Sequence, residues 1–314
     1  MKSPRVTAIS PAWLKRHPLP EPSHEGDKDA RGRILVIAGA GEMPGAALLS
    51  AVAALRAGAG KLQVATCASA APLVAAAVPE ARVVALPETK AGALATAARA
   101  QIDAMSEHAD AIVVGPGLLE SDATARMFAA WLAAVHEVPV VVDAAALRAF
   151  ERDAETVARG RALRILTPHA GEAARLLGCA RGEVEARPLE LGIEMARRFS
   201  AVCVMKGATS YVIDGPALVA GRTGAVVSNR YGNVGLATSG SGDTLSGIIG
   251  GLAARGADPF RATAWGVYLH AAAGDALARE QGGPLGFLAR ELLDAIPGVM
   301  QSSAVQPSRR KAKR

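Results

Sequence analysis

Short apolar runs alternate with alanine-rich helical stretches along most of this chain, and that rhythm constrains its fold more than any other feature. Arg33–Ala38, Leu62–Thr66, Arg82–Leu86, Ala111–Val114, Val138–Val142, Arg164–Leu166 and Ala201–Met205 are too short for buried helices and too apolar for strands with one wet face. Between and after them, Ala46–Ala57, Ser69–Val78, Gly92–Met105, Asp122–Val135, Gly171–Leu177, Glu183–Phe199, Ser241–Ala254, Pro259–Glu280 and Phe287–Ile296 read as helices. Such alternation predicts an α/β fold with a mostly parallel central sheet and helices on both faces. Tyr211–Ile213 and Ala217–Val219 read as antiparallel pieces joined by a turn at Asp214-Gly215. We expect one domain over 31–300, after a polar leader (1–30) with a short helix around Trp13 and before a disordered basic tail (301–314).

Composition narrows the function classes. Half of the residues are apolar, yet no run reaches the ~18 residues needed to span a bilayer, and residues 1–30 hold no secretory apolar segment. Cys67, Cys179 and Cys203 lack metal-ligand spacing and read as reduced thiols of a cytoplasmic protein. Part of the net charge of +6 sits in Arg309, Arg310, Lys311, Lys313 and Arg314, so the body is near neutral and no specific nucleic-acid or membrane partner is expected.

The chemistry concentrates where strands end, the edge at which open α/β sheets bind ligands. Thr238-Ser-Gly-Ser-Gly-Asp-Thr-Leu-Ser-Gly247 runs straight into a helix. Flexible glycines and a helix N-terminus make an anion cradle from Gly240, Ser241 and Gly242. A carboxylate there repels phosphate, so Asp243 suits removal of a proton from whatever attacks the phosphorus. Other strand ends carry Gly39-Ala40-Gly41 through Pro44-Gly45-Ala46, Gly115-Pro116-Gly117, Asp143, Thr167-Pro168-His169-Ala170-Gly171-Glu172 and Lys206-Gly207-Ala208-Thr209-Ser210, with Gly232-Asn233 ahead of the cradle. Each has a structural alternative. Gly39, Gly41 and Gly45 miss the dinucleotide spacing and suit a tight turn, and Gly115-Pro116-Gly117 suits another. Asp143 suits a helix N-cap, Glu172 a first-turn carboxylate, His169 a loop histidine and Lys206 a surface lysine.

Together these segments resemble the ADP- or ATP-dependent NAD(P)H-hydrate dehydratases, a branch of the ribokinase-like fold, from about Arg31 to about Ala295. The residues carrying the likeness are Met43–Leu49, Arg56–Gly60, Gly115–Gly117, Thr167–Glu172, Lys206-Gly207, Ser239–Gly247 and Val267-Tyr268-Leu269-His270. Ser239 and Ser241 stand where the family more often has glycine and threonine. The resemblance implies repair of the S-epimer of hydrated NADH or NADPH, with ADP (or ATP) as phosphoryl donor and Mg²⁺ as cofactor. The ring hydroxyl is phosphorylated and phosphate then leaves, restoring the double bond. By the same resemblance Asp243 is the base. Ala46, Gly117, His169 and Asp243 contact the hydrated dinucleotide. Lys206, Gly207, Ala208, Thr209, Ser210 and Gly242 hold the adenine nucleotide. Glu172 reaches the metal through water, and Asn233 positions the loop before the cradle. The likeness further implies a separate epimerase in the same pathway, and the alanine-rich helix faces suit symmetric packing into a homo-oligomer, with a tetramer favoured. Two other functions compete: a small-molecule kinase of the same fold, acting on a vitamin precursor or sugar, and a non-catalytic nucleotide sensor.

Overall fold

The computed structural model describes residues 4–21, 30–158 and 160–303. Ten strands make one sheet: β1 (Thr7–Ala8), β2 (Arg33–Ile37), β3 (Lys61–Cys67), β4 (Ala81–Leu86), β5 (Ala111–Val114), β6 (Pro139–Val142), β7 (Leu163–Leu166), β8 (Val202–Met205), β9 (Ser210–Asp214) and β10 (Val226–Asn229). Their order is β1-β10-β9-β8-β7-β6-β5-β2-β3-β4. Only β9 runs against its neighbours; every other pairing is parallel.

Strand side chains alternate between two buried faces, as a period of two requires. Ile34 and Val36 of β2 join Val64, Val113 and Val141 on one face, while Leu35 and Ile37 join Ile112, Val114 and Val140 on the other. The helices, in chain order, are α1 (Pro11–Arg16), α2 (Pro44–Arg56), α3 (Ala71–Ala77), α4 (Arg99–Ser106), α5 (Asp122–Ala134), α6 (Arg148–Ala158), α7 (Ala170–Leu177), α8 (Arg181–Ala186), α9 (Pro188–Arg198), α10 (Gly215–Val219), α11 (Ser241–Ala254), α12 (Pro259–Gln281) and α13 (Ala289–Ser303). The first face packs α1 to α3 and α11 to α13; the second packs α4 to α10. The three cysteines are free, and Cys67 and Cys203 are buried. Burial pushes the Cys67 thiol up to about 11. No helix among the described residues is long and apolar enough to cross a membrane.

Small residues fix the helix pair that carries the site. A Cβ on Gly247 would lie 2.2 Å from the Ser50 carbonyl oxygen, and one on Gly251 would lie 2.3 Å from that of Ala54. The backbones of α11 and α2 are therefore in direct contact, and their N-termini open side by side at the carboxyl ends of the strands.

Several sequence expectations need correction. Ala217–Val219 is not a strand but part of α10, and the strand paired with β9 is β10. Asp214 does not start a hairpin turn; its side chain accepts from Ala217 N–H as an N-cap, and Pro216 stands in the first turn. The helix expected over Gly92–Met105 begins only at Arg99. Gly92 has φ +79°, and the following backbone pairs with Pro87 and Glu88. Pro188 divides the helix expected over Glu183–Phe199 into α8 and α9, since it lacks the N–H that would continue the first. Residues 4–21 of the leader are part of the fold: β1 extends the sheet, and Ser10 caps α1 around a buried Trp13. Residues 301–303 belong to α13. The basic residues beyond them lie outside the described residues.

Candidate active site

The sheet reverses its direction of growth at β2, which sits between β3 and β5. Ligands of open α/β sheets bind at such a crevice. The turns after β2 and β5 meet there, with Gly39 N–H donating to the Pro116 carbonyl at 2.8 Å. Gly117 has φ +64°, and a Cβ on it would lie 2.5 Å from Ala46 Cβ and 2.8 Å from the Met43 oxygen. Ala46 and Gly117 are thus neighbours across a bare backbone crevice, open to a flat ligand.

The anion cradle lies next to it. Gly240 caps α11 with φ +84° and no side-chain bond. A Cβ there would strike Leu49 at 2.4 Å. The structure redistributes the expected donors, because Ser241 N–H is taken by the Thr238 carbonyl at 3.2 Å. The N–H groups of Gly242 and Asp243 find no acceptor among the described residues, as expected for the first turn of a helix. Lys206 stands over this end: a Cβ on Gly242 would be 3.8 Å from its Nζ.

Asp243 is held by its backbone and left free at its carboxylate. Its carbonyl accepts from Ser50 Oγ at 2.9 Å, and its side chain makes no hydrogen bond among the described residues. Burial first, and the charge of Asp143 second, push it from 3.8 up to about 6, against the pull of Lys206. Asp143 is buried at the end of β6 and accepts from Ser246 Oγ at 2.6 Å. It precedes a short 3₁₀ turn but makes no side-chain cap bond, so the cap reading is corrected in favour of the cleft. The next residue, Ala144, takes φ +46°, a left-handed conformation unusual for alanine.

His169 and Glu172 form a reciprocal cap at the start of α7. His169 Nδ1 accepts from the N–H groups of Gly171 and Glu172, and Glu172 accepts from His169 N–H at 2.8 Å. Nδ1 is thus the accepting nitrogen of the ring, and Nε2, on an exposed side chain, lies 3.4 Å from Glu172 Oε1. Glu172 is buried and its carboxyl is raised by burial and by Asp143. Lys206 to Ser210 form the exposed turn from β8 to β9, tied by Gly207 N–H to Ser210 Oγ at 3.4 Å. Asn233 accepts from Gly235 N–H and donates to Asp275 at 3.1 Å, which ties the loop before the cradle to α12.

Among the described residues, no three His, Cys, Asp or Glu side chains gather as a direct metal cage. Asp143 and Glu172 fit a different arrangement, in which Mg²⁺ keeps several waters and travels with nucleotide phosphates.

The family model described as NAD(P)H-hydrate dehydratase matches residues 34–298. The chain belongs to this family. The ADP-dependent (S)-NAD(P)H-hydrate dehydratase of Xanthomonas campestris is 44% identical over 96% of this chain and 98% of its own length. The bifunctional NAD(P)H-hydrate repair enzyme Nnr of Moorella thermoacetica is 39% identical over 94% of this chain, which spans 54% of that longer protein. Among solved structures, the ADP/ATP-dependent NAD(P)H-hydrate dehydratase of Bacillus subtilis, co-crystallised with ATP and Mg²⁺, superposes with TM-score 0.80. It is 30% identical over 95% of this chain and 99% of its own. The ribokinase-like α/β fold is thereby established. A hydroxyethylthiazole kinase from Pyrococcus horikoshii, 20% identical with TM-score 0.58, shares the fold alone.

For this dehydratase-family chain, sequence reasoning placed Asp243, Gly242, Lys206, Ala46 and Gly117 at one strand edge, and the structure brings them together. It did not find the link from Ser246 to Asp143, nor that His270 touches the cradle: its Nε2 lies 2.9 Å from Ser241 Oγ. Ser246 follows Asp243 by three residues on one helix face, which was the available signal. His270 gave no local signal beyond its place in the resemblance.

Proposed function

We propose that this chain catalyses ADP-dependent dehydration of the S-epimer of hydrated NADH and NADPH, giving NADH or NADPH, AMP and phosphate. The 44% identical relative bears that activity in its name. One observation carries the reading to the chemistry: an unpaired, half-buried carboxylate beside two unoccupied helix-terminal amides and one lysine.

In this reading the hydrated ring lies in the crevice of Ala46 and Gly117, with His169 Nε2 at its edge. Lys206 to Ser210 and Gly242 hold the adenine nucleotide. Asp243 takes the proton from the ring hydroxyl as its oxygen attacks the β-phosphorus of ADP, and AMP departs. The amides of Gly242 and Asp243 stabilise charge on the moving phosphoryl group. Glu172, with Asp143 beside it, would hold Mg²⁺ through water next to the nucleotide, where the ion would neutralise phosphate charge. The ring nitrogen lone pair then expels phosphate, a far better leaving group than hydroxide, and the double bond returns as the adjacent ring carbon gives up a proton to the departing phosphate or to water. A raised Asp243 suits this work, since a base near neutrality gains driving force while staying ionised at pH 7.

A separate cytoplasmic epimerase supplies the S-epimer, and a homotetramer is the assembly we expect. Incubation with hydrated NADH, Mg²⁺ and ADP is expected to restore dihydronicotinamide absorbance. A stable phosphorylated product would instead make the chain a kinase, and no recovery with ADP or ATP would refute the reading.

A further inference from the structure

The proposed steps leave His270 without a task. It sits half-buried on α12, with glycines one turn before and one turn after it. A Cβ on Gly266 would lie 2.5 Å from Ile249 Cγ1 of α11, and one on Gly274 would lie 2.7 Å from Leu236 in the loop before the cradle. These two bare positions bring α12 close enough for its imidazole to reach the first residue of α11. There Nε2 lies 2.9 Å from the hydroxyl of Ser241, itself buried.

Burial and the charge of Lys206 hold the His270 ring neutral, down to about 4, so it has one N–H and one bare nitrogen in the physiological range. With that N–H on Nε2, the ring donates across the 2.9 Å contact to Ser241. Ser241 Oγ then accepts from the ring, and its own hydrogen remains free. Its backbone N–H is already used by Thr238, so the hydroxyl is the donor Ser241 has left to offer.

We infer that His270 is a positioning residue: its Nε2–H donates to Ser241 Oγ and turns the Ser241 hydroxyl hydrogen toward the transferring phosphoryl group, as a third donor beside the amides of Gly242 and Asp243. The inference deepens the dehydratase reading and rests on it for its kinetic arm. The glycines that bring α12 near thus serve the cradle as well as the packing.

Two measurements test it. Nitrogen-15 NMR of histidine-labelled full-length protein, with His270 assigned by His270→Gln, is expected to show a neutral ring protonated at Nε2 from pH 6 to pH 8. A ring protonated at Nδ1, or an imidazolium, would overturn the inference whether or not the chain proves to be a dehydratase. In the kinetic arm, Ser241→Ala and His270→Leu are each expected to lower kcat about tenfold or more, with KM for ADP little changed. The double variant should be no slower than the slower single variant, because His270 acts through Ser241. His270→Gln keeps a donor and should retain most of kcat. Losses that multiply in the double variant would overturn the inference, as would a glutamine variant with wild-type Tm that is as slow as the leucine variant. Should His270→Leu fail to fold, the Ser241→Ala and His270→Gln rates and the NMR tautomer still decide. A wild-type chain inactive on hydrated NADH would refute the dehydratase reading alone.

Discussion

Asp243→Asn should make the protein inert and more stable at once. The carboxylate makes no hydrogen bond that an amide would lose, and it sits half-buried near a second buried carboxylate, Asp143. Its rise from 3.8 to about 6 means that the fold disfavours the ionised form. At about 1.4 kcal/mol for each pH unit, that is about 3 kcal/mol as an upper figure, and water in the cleft reduces it to about 1–3 kcal/mol. Because the folded value lies above the unfolded one, the penalty is absent below about pH 4. It grows as pH rises and is complete above about pH 6. Differential scanning calorimetry should therefore show the Asn variant melting roughly 2–6 °C above the wild type at pH 8, with the gap closing toward pH 4. The same variant should bind ADP and turn over nothing. A variant melting at or below the wild-type temperature at pH 8, or a gap independent of pH, would refute the claim that burial and Asp143 strain this carboxylate.

Turnover should follow the same group: kcat/KM for the hydrated cofactor is expected to fall about tenfold per pH unit below about pH 6, read from a pH–rate profile, as Asp243 protonates. Gly117→Val should raise KM for the hydrated dinucleotide and lower Tm, since it forces β-branched bulk into a left-handed position 2.5 Å from Ala46 Cβ; unchanged KM would place the substrate elsewhere. Gly251→Ala should cost about 1–3 kcal/mol or more in a denaturant titration, because its methyl would meet the Ala54 carbonyl at 2.3 Å and part α11 from α2.

The sheet was legible because buried parallel strands advertise themselves: Arg33–Ile37, Ala111–Val114 and Val202–Met205 lie within a residue or so of the expected runs. What failed was local. Asp214-Gly215 satisfies a turn rule, yet Pro216 turned the same residues into a helix start, and β10 went unread behind it. Gly92 sits in a helical pattern whose first turns are claimed by contacts with Pro87 and Glu88, which no local propensity reports. At the site, chemistry carried by chain neighbours could be read: the cradle with Asp243, the His169–Glu172 turn and the Lys206–Ser210 turn. Chemistry made by packing could not. Ser246 meets Asp143 and Ser241 meets His270 only because α11 lies against β6 and α12, and the donor lost from the cradle, Ser241 N–H, depends on one turn with Thr238. Exposure misled in the other direction, since a lysine that suited the surface stands over the N-terminus of α11.

The central claim is that the ring hydroxyl is phosphorylated in order to leave as phosphate. Hydrated NADH carrying ¹⁸O in that hydroxyl, turned over with ADP and Mg²⁺ and followed by mass spectrometry of the products, tests it most directly. The account predicts one ¹⁸O in each phosphate released, with one AMP formed for each NADH restored. Label appearing in water, with unlabelled phosphate, would contradict it.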